Sequence, residues 1–137
     1  MTGKIKVLIV DDHAILRMGL ASLLASKCEI EVVGDASDGP SGIRKALKLK
    51  PDVVIMDLMM PGKNGIEAAR DIRRLDVEDA LTIPIIALTA DVTENTDENC
   101  LQAGMNAALR KPVESEELFF TLAREFEKSV CQEQTGV

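Results

Sequence analysis

Five short apolar runs, each followed by a stretch with helical spacing, constrain this chain more than any other feature. The runs are Ile5–Val10, Ile30–Gly34, Val53–Met56, Ile85–Leu88 and a weaker one at Ala107–Arg110. All are of strand length, and the unbroken stretches Val7–Val10 and Val53–Met56 read as buried strands of a parallel sheet covered by helices. Leu16, Leu20, Leu23 and Leu24 recur at helical spacing between about Ala14 and Ser26. After a turn at Asp38-Gly39-Pro40, a second helix covers about Ser41 to Lys50 and stops before Pro51. Met60-Pro61-Gly62-Lys63-Asn64-Gly65 has loop composition, and a third helix runs from about Ile66 to Leu75. A polar fourth helix lies near Thr96 to Ala103 and ends at Gly104. The fifth spans about Ser115 to Ser129, with Ser115 as its cap and Glu116 and Glu117 in its first turn. Strict alternation of β and α implies a parallel sheet with helices on both faces and right-handed crossovers.

The expected architecture is α/β, a (βα)5 flavodoxin-like three-layer sandwich with strand order 2-1-3-4-5 and its ligand site at the carboxyl ends of the strands. With 137 residues, one domain is expected over 1–131, followed by a frayed tail at 132–137. Three Phe and no Trp or Tyr leave an aliphatic core as the only option. A net charge of −7 argues against a grip on nucleic acid or an anionic membrane surface. No run approaches the ~20 apolar residues of a membrane span, and no signal peptide precedes the first strand, so a cytoplasmic location is expected. Cys28, Cys100 and Cys131 show no metal or disulfide spacing and read as idle or buried thiols.

The strand ends carry the chemistry. Asp11 and Asp12 follow the first run, Asp57 the third, Thr89 the fourth and Lys111 the fifth. A parallel sheet brings all of these to one edge. Carboxylates held close repel one another and favour a cation between them. Hard oxygen donors suit Mg2+, which takes one or two carboxylates together with phosphate oxygens. A carboxylate beside such an ion can attack phosphorus and form an acyl phosphate. Lys111 and Thr89 can then hold phosphoryl oxygens.

In these residues the chain resembles the receiver domains of two-component response regulators over about residues 4–130. The resemblance rests on Val10-Asp11-Asp12, on Asp57 with Met60-Pro61 and Gly65, on Thr89-Ala90 and on Lys111-Pro112, all in order and at family spacing. It implies a phosphorylation-dependent switch that takes a phosphoryl group from phospho-histidine onto Asp57, with Mg2+ as cofactor. The donor would be a histidine kinase or a histidine phosphotransfer protein. It further implies that Asp12 binds the metal directly and Asp11 largely through water, with Met59 offering its backbone carbonyl. Thr89 becomes the switch hydroxyl, Lys111 the phosphate-contacting base, and the Lys111-Pro112 bond is expected to be cis. Such a protein catalyses only its own phosphorylation and dephosphorylation. A homodimer or a target protein would meet it through the last two helices. Ala108 stands where the family usually carries Tyr or Phe, and Val113 where Phe is common, so the usual aromatic relay is missing.

Other features have plainer readings. His13, a lone histidine after the acidic pair, reads as a polar cap or surface residue in preference to a metal ligand or phospho-histidine, and Met56, Met59 and Met60 as core and loop filling. Arg44, Lys45, Lys48, Arg70, Arg73 and Arg74 read as wet helix faces. Ile15 and Met18, beside the buried stripe of the first helix, read either as ordinary surface hydrophobes or, as the resemblance to receivers implies, as a docking patch for the phospho-donor. Met59 and Asp91 flank the expected path of attacking water and would tune the lifetime of the acyl phosphate.

The rival reading is a Mg2+-dependent phosphohydrolase with an aspartyl-phosphate intermediate, which would need a carboxylate where Met59 stands. A flavodoxin-like cofactor module would need a phosphate loop after the first strand and aromatics to stack a flavin, and the sequence offers neither. The stretch Asp11–Leu20 resembles receivers that precede a LuxR-type helix-turn-helix domain, and Pro84–Pro112 resembles those of hybrid kinases. Neither appendage occurs within these residues, which suggests a stand-alone or an excised receiver.

Overall fold

The structure is a computed structural model that describes residues 4–60, 62–75, 82–90 and 94–135, the side chains of 94–97 and 131–135 excepted. Ten elements alternate along it: β1 Ile5–Val10, α1 Ala14–Ala25, β2 Ile30–Ala36, α2 Gly39–Leu49 and β3 Val53–Asp57, then α3 Gly65–Arg73, β4 Ile85–Thr89, α4 Glu94–Gln102, β5 Ala107–Arg110 and α5 Ser115–Thr135. The strands form one parallel sheet in the expected order, β2-β1-β3-β4-β5.

Strand period divides the aliphatic residues between two cores. Leu8, Val10, Val54, Met56, Ile85 and Ala87 face one side, where Ala46 of α2, Ala68, Ala69 and Ile72 of α3, and Cys100 of α4 pack on them. Val7, Ile9, Val53, Ile55, Ile86 and Leu88 face the other, covered by Leu20 and Leu24 of α1 and Leu118 and Leu122 of α5. The central strands are therefore buried on both faces, which is why their sequences read as unbroken apolar runs.

Local chemistry moved several boundaries. Asp38-Gly39-Pro40 is a helix start rather than a separate turn. Asp38 caps α2 by accepting from the Ser41 amide at 2.8 Å, and Pro40 sits in the first turn, where a missing N–H costs nothing. Asn64 closes a capping box with Glu67, accepting from its amide at 2.9 Å while the Asn64 amide donates to Oε1 at 3.1 Å. The Asn-x-x-Glu spacing was visible in the sequence. Ser115 is the first residue of α5 rather than its cap, since the first helical bond runs from the Leu118 amide to the Glu114 carbonyl. That helix continues through Thr135, so 132–135 are helical rather than a frayed tail.

Arg73 also departs from expectation. Rather than lying on a wet face, its guanidinium donates to the Gly104 carbonyl at 3.0 Å and to Asn106 Oδ1 at 2.9 Å, tying the end of α3 to the α4–β5 loop. Asn106 Oδ1 also accepts from the Ile85 amide, so this clamp reaches the start of β4. Burial pulls the Arg73 pKa down to about 10, which leaves it cationic at neutral pH. Gly104 makes the turn there with φ +92, a region that other residues rarely adopt. Arg73→Ala strips a charged donor from two acceptors. It is expected to cost about 2 kcal/mol in urea unfolding, and a loss below about 0.5 kcal/mol would mean that the clamp is not structural.

Candidate functional site

Register places the site. Val10 pairs with Met56, so the next residues, Asp11 and Asp57, leave β1 and β3 side by side. Asp57 pairs with Leu88, which sets Thr89 one residue further along the same edge. The backbone of Lys111 is fixed there by its amide, which donates to the Thr89 carbonyl at 2.8 Å. The Lys111-Pro112 bond that follows is cis, as expected.

The side chains converge. Asp11 is 0% exposed, Asp57 1% and Thr89 4%. Lys111 Nζ stands 3.2 Å from Asp57 Oδ1 and 3.4 Å from Asp11 Oδ2, bridging the two carboxylates. Asp57 Oδ1 also accepts from the Met59 amide at 3.2 Å. Among the described residues, Asp57 Oδ2 accepts no hydrogen bond. Asp11 Oδ2 and Asp12 Oδ1 are likewise buried without one, although Lys111 and His13 lie within ion-pair range of them. Burial raises the Asp57 pKa and the charge of Asp11 adds to the rise, while the Met59 amide and Lys111 pull against it.

These orphaned oxygens are what a metal site offers before it is filled. Ligand atoms of Asp11, Asp12, His13 and Asp57 all lie within 4.8 Å of one another. Three carboxylates form a hard donor set, so the residues present fit a divalent cation such as Mg2+.

Two expectations change. Met59 does not fill the loop: its side chain is 73% exposed, unlike buried Met56 and Met60. His13 does occupy the cap position of α1 and is exposed, but its ring leans onto Asp11 and Asp12 instead of standing clear. Its place directly after two acids was the available clue. Asp91 lies outside the described residues. Cys100 is buried and Cys28 exposed, and the side chain of Cys131 is outside the described set. Among the described residues no helix is long and apolar enough to cross a membrane.

A five-stranded parallel sheet of this order, with polar groups gathered at its carboxyl edge, defines the flavodoxin-like class of α/β domains. Within that class, the chain belongs to the response regulator receiver domain family, whose model matches residues 7–123. It is 43% identical over 115 residues to the transcriptional regulatory protein LiaR of Bacillus subtilis strain 168, covering 83% of this chain and 52% of LiaR. It is 36% identical to the response regulator protein VraR of Staphylococcus aureus strain Mu3, covering 83% and 53%. The chain thus spans about half the length of these curated relatives.

Among solved structures, the response regulator domain of Thermotoga maritima CheB superposes with a TM-score of 0.81 at 31% identity, covering 90% of this chain and 97% of that one. The receiver domain of the sensor histidine kinase PA1611 from Pseudomonas aeruginosa PAO1 gives 0.80 at 34% identity, covering 91% and 99%. That structure holds a magnesium ion coordinated in its active-site cleft. The chain is therefore a receiver domain of two-component signalling, a switch module.

Proposed function

We propose that Asp57 is the phospho-acceptor of this switch, and that Asp11, Asp12 and Asp57, with the backbone carbonyl of Met59, hold Mg2+. One observation carries the reading: Asp57 is buried with Oδ1 pinned by the Met59 amide and Lys111, while among the described residues Oδ2 accepts no hydrogen bond. A carboxylate oriented through one oxygen presents the other to an electrophile. That oxygen attacks phosphorus of a phospho-histidine on a histidine kinase or phosphotransfer protein. The P–N bond breaks, its electron pair returns to the imidazole, and an acyl phosphate remains on Asp57. When bound, Mg2+ offsets repulsion between the carboxylates and the incoming phosphoryl group.

Lys111 already spans Asp11 and Asp57, and its ammonium is placed to hold a phosphoryl oxygen. Thr89, at the adjacent strand end, supplies a hydroxyl to another. Hydrolysis of the acyl phosphate resets the switch, and Met59 and Asp91 tune its rate. Ile15 and Met18, 87% and 70% exposed on α1, form the donor-docking patch beside this edge. The output surface is the last two helices, α4 and α5, where Leu101 and Phe120 are exposed; a second copy or a target protein docks there. The domain acts in the cytoplasm and, as an enzyme, on itself alone. A phosphohydrolase is not favoured, because Met59 occupies the position of the second carboxylate and faces solvent.

Incubation with Mg2+ and a small acyl or amido phosphate, followed by intact mass measurement, tests this reading. Wild type gains one phosphoryl group and Asp57→Asn gains none. Equal labelling of the two proteins would move the acceptor elsewhere.

A further inference from the structure

The phosphoryl chemistry leaves one residue of this edge unused. His13 sits at the start of α1 in extended conformation and makes no side-chain capping bond. Its side chain is 65% exposed, yet Nδ1 lies 3.1 Å from Asp12 Oδ1 and 3.3 Å from Asp11 Oδ1. One ring nitrogen thus meets the acids while most of the ring stays in water. Its donor atom joins those of Asp11, Asp12 and Asp57 within a 4.8 Å span. Donor atoms around one ion, each roughly 2.0–2.2 Å from it, stand within about 4.4 Å of one another, and the observed span is close to that limit. An independent observation points the same way: among the described residues the buried Asp57 Oδ2 accepts no hydrogen bond.

We propose that His13 is a metal ligand, and that its imidazole makes this edge a site for divalent ions of the Co2+, Ni2+ and Zn2+ class, in competition with Mg2+. The inference rests on the reading that these carboxylates hold a divalent cation. An imidazole nitrogen suits the borderline ions, whereas Mg2+ prefers oxygen and keeps its waters. The plainer account is that the ring is simply drawn to two neighbouring carboxylates. The two differ once a cation binds, because an ion-paired ring is expelled while a ligand stays.

The chain contains a single histidine, so any imidazole signal in protein free of added histidines comes from His13. Proton NMR of the Co2+-loaded protein is expected to show one paramagnetically shifted, exchangeable imidazole resonance, absent from His13→Gln. By calorimetry, His13→Gln is expected to weaken Co2+ binding roughly 10–100-fold while weakening Mg2+ binding less than about threefold. Co2+ binding without the shifted resonance, or an equal loss for both ions, overturns the assignment of His13 and leaves the carboxylate site standing. Failure of wild type to bind either ion removes the cation site and this inference with it.

Discussion

Asp57→Asn is expected to unfold at a higher temperature than wild type in chelator, by ~3 °C or more, the equivalent of about 1 kcal/mol for a domain of this size. In the metal-free protein Asp57 is a buried carboxylate beside a second buried carboxylate, served by one ammonium and one amide. Asn keeps the shape and removes the charge. The pH dependence follows from the raised pKa. A carboxyl group whose pKa is higher in the folded state contributes stability below the ordinary carboxylate range. It loses that contribution as pH rises toward the folded-state pKa. The advantage of Asp57→Asn should therefore be small in acid, grow between those two values and stay level above them.

Mg2+ reverses the ranking. At a hundredfold excess over Kd, an ion bound only by the folded state adds about 2.7 kcal/mol, or on the order of 10 °C here. Wild type should show most of that gain and Asp57→Asn little of it. Thermal scans in chelator and in saturating Mg2+ check both halves. If both proteins melt alike under both conditions, Asp57 is neither a strained anion nor a ligand.

Gly65→Ala is expected to cost about 3 kcal/mol, a severe loss for one methyl group, through forced overpacking against the backbone. Gly65 begins α3 and donates its amide to the Leu58 carbonyl at 3.1 Å. A Cβ there would run into the Asp57 carbonyl oxygen and stand 2.9 Å from Leu58 Cα. Backbone cannot swing aside as a flexible side chain does, so the β3–α3 loop must shift and carry Asp57 with it. Urea unfolding should show the loss, and phosphoryl uptake should fall together with stability. Gly19→Ala is the control, because a Cβ on that exposed helical residue meets nothing within 4 Å. A Gly65→Ala protein as stable as Gly19→Ala would mean that the loop yields freely.

Much of the fold was legible because a parallel sheet writes itself into sequence plainly. Residues 7–10, 53–56 and 85–88 are buried on both sides, so their runs are apolar without alternation, and the polar residues that end them, Asp11, Asp57 and Thr89, mark the carboxyl edge. Boundaries were less legible where side chains decide them. Asp38 and Asn64 look like turn formers until their oxygens are seen capping helices. Arg73 is a different case. Nothing near it in sequence indicates that its partners lie more than thirty residues away, at Gly104 and Asn106.

By itself the sequence determined the βα alternation, the aliphatic core and the arrival of Asp11, Asp12, Asp57, Thr89 and Lys111 at one edge. Strand period and chain order settle those without reference to distant contacts. Only the tertiary structure decided that Asp57 is held through Oδ1, with no hydrogen bond to Oδ2 among the described residues, that Met59 faces solvent, and that a His13 nitrogen meets the acids. Those outcomes depend on which atoms meet across strands and loops, and on side-chain directions that spacing alone does not encode.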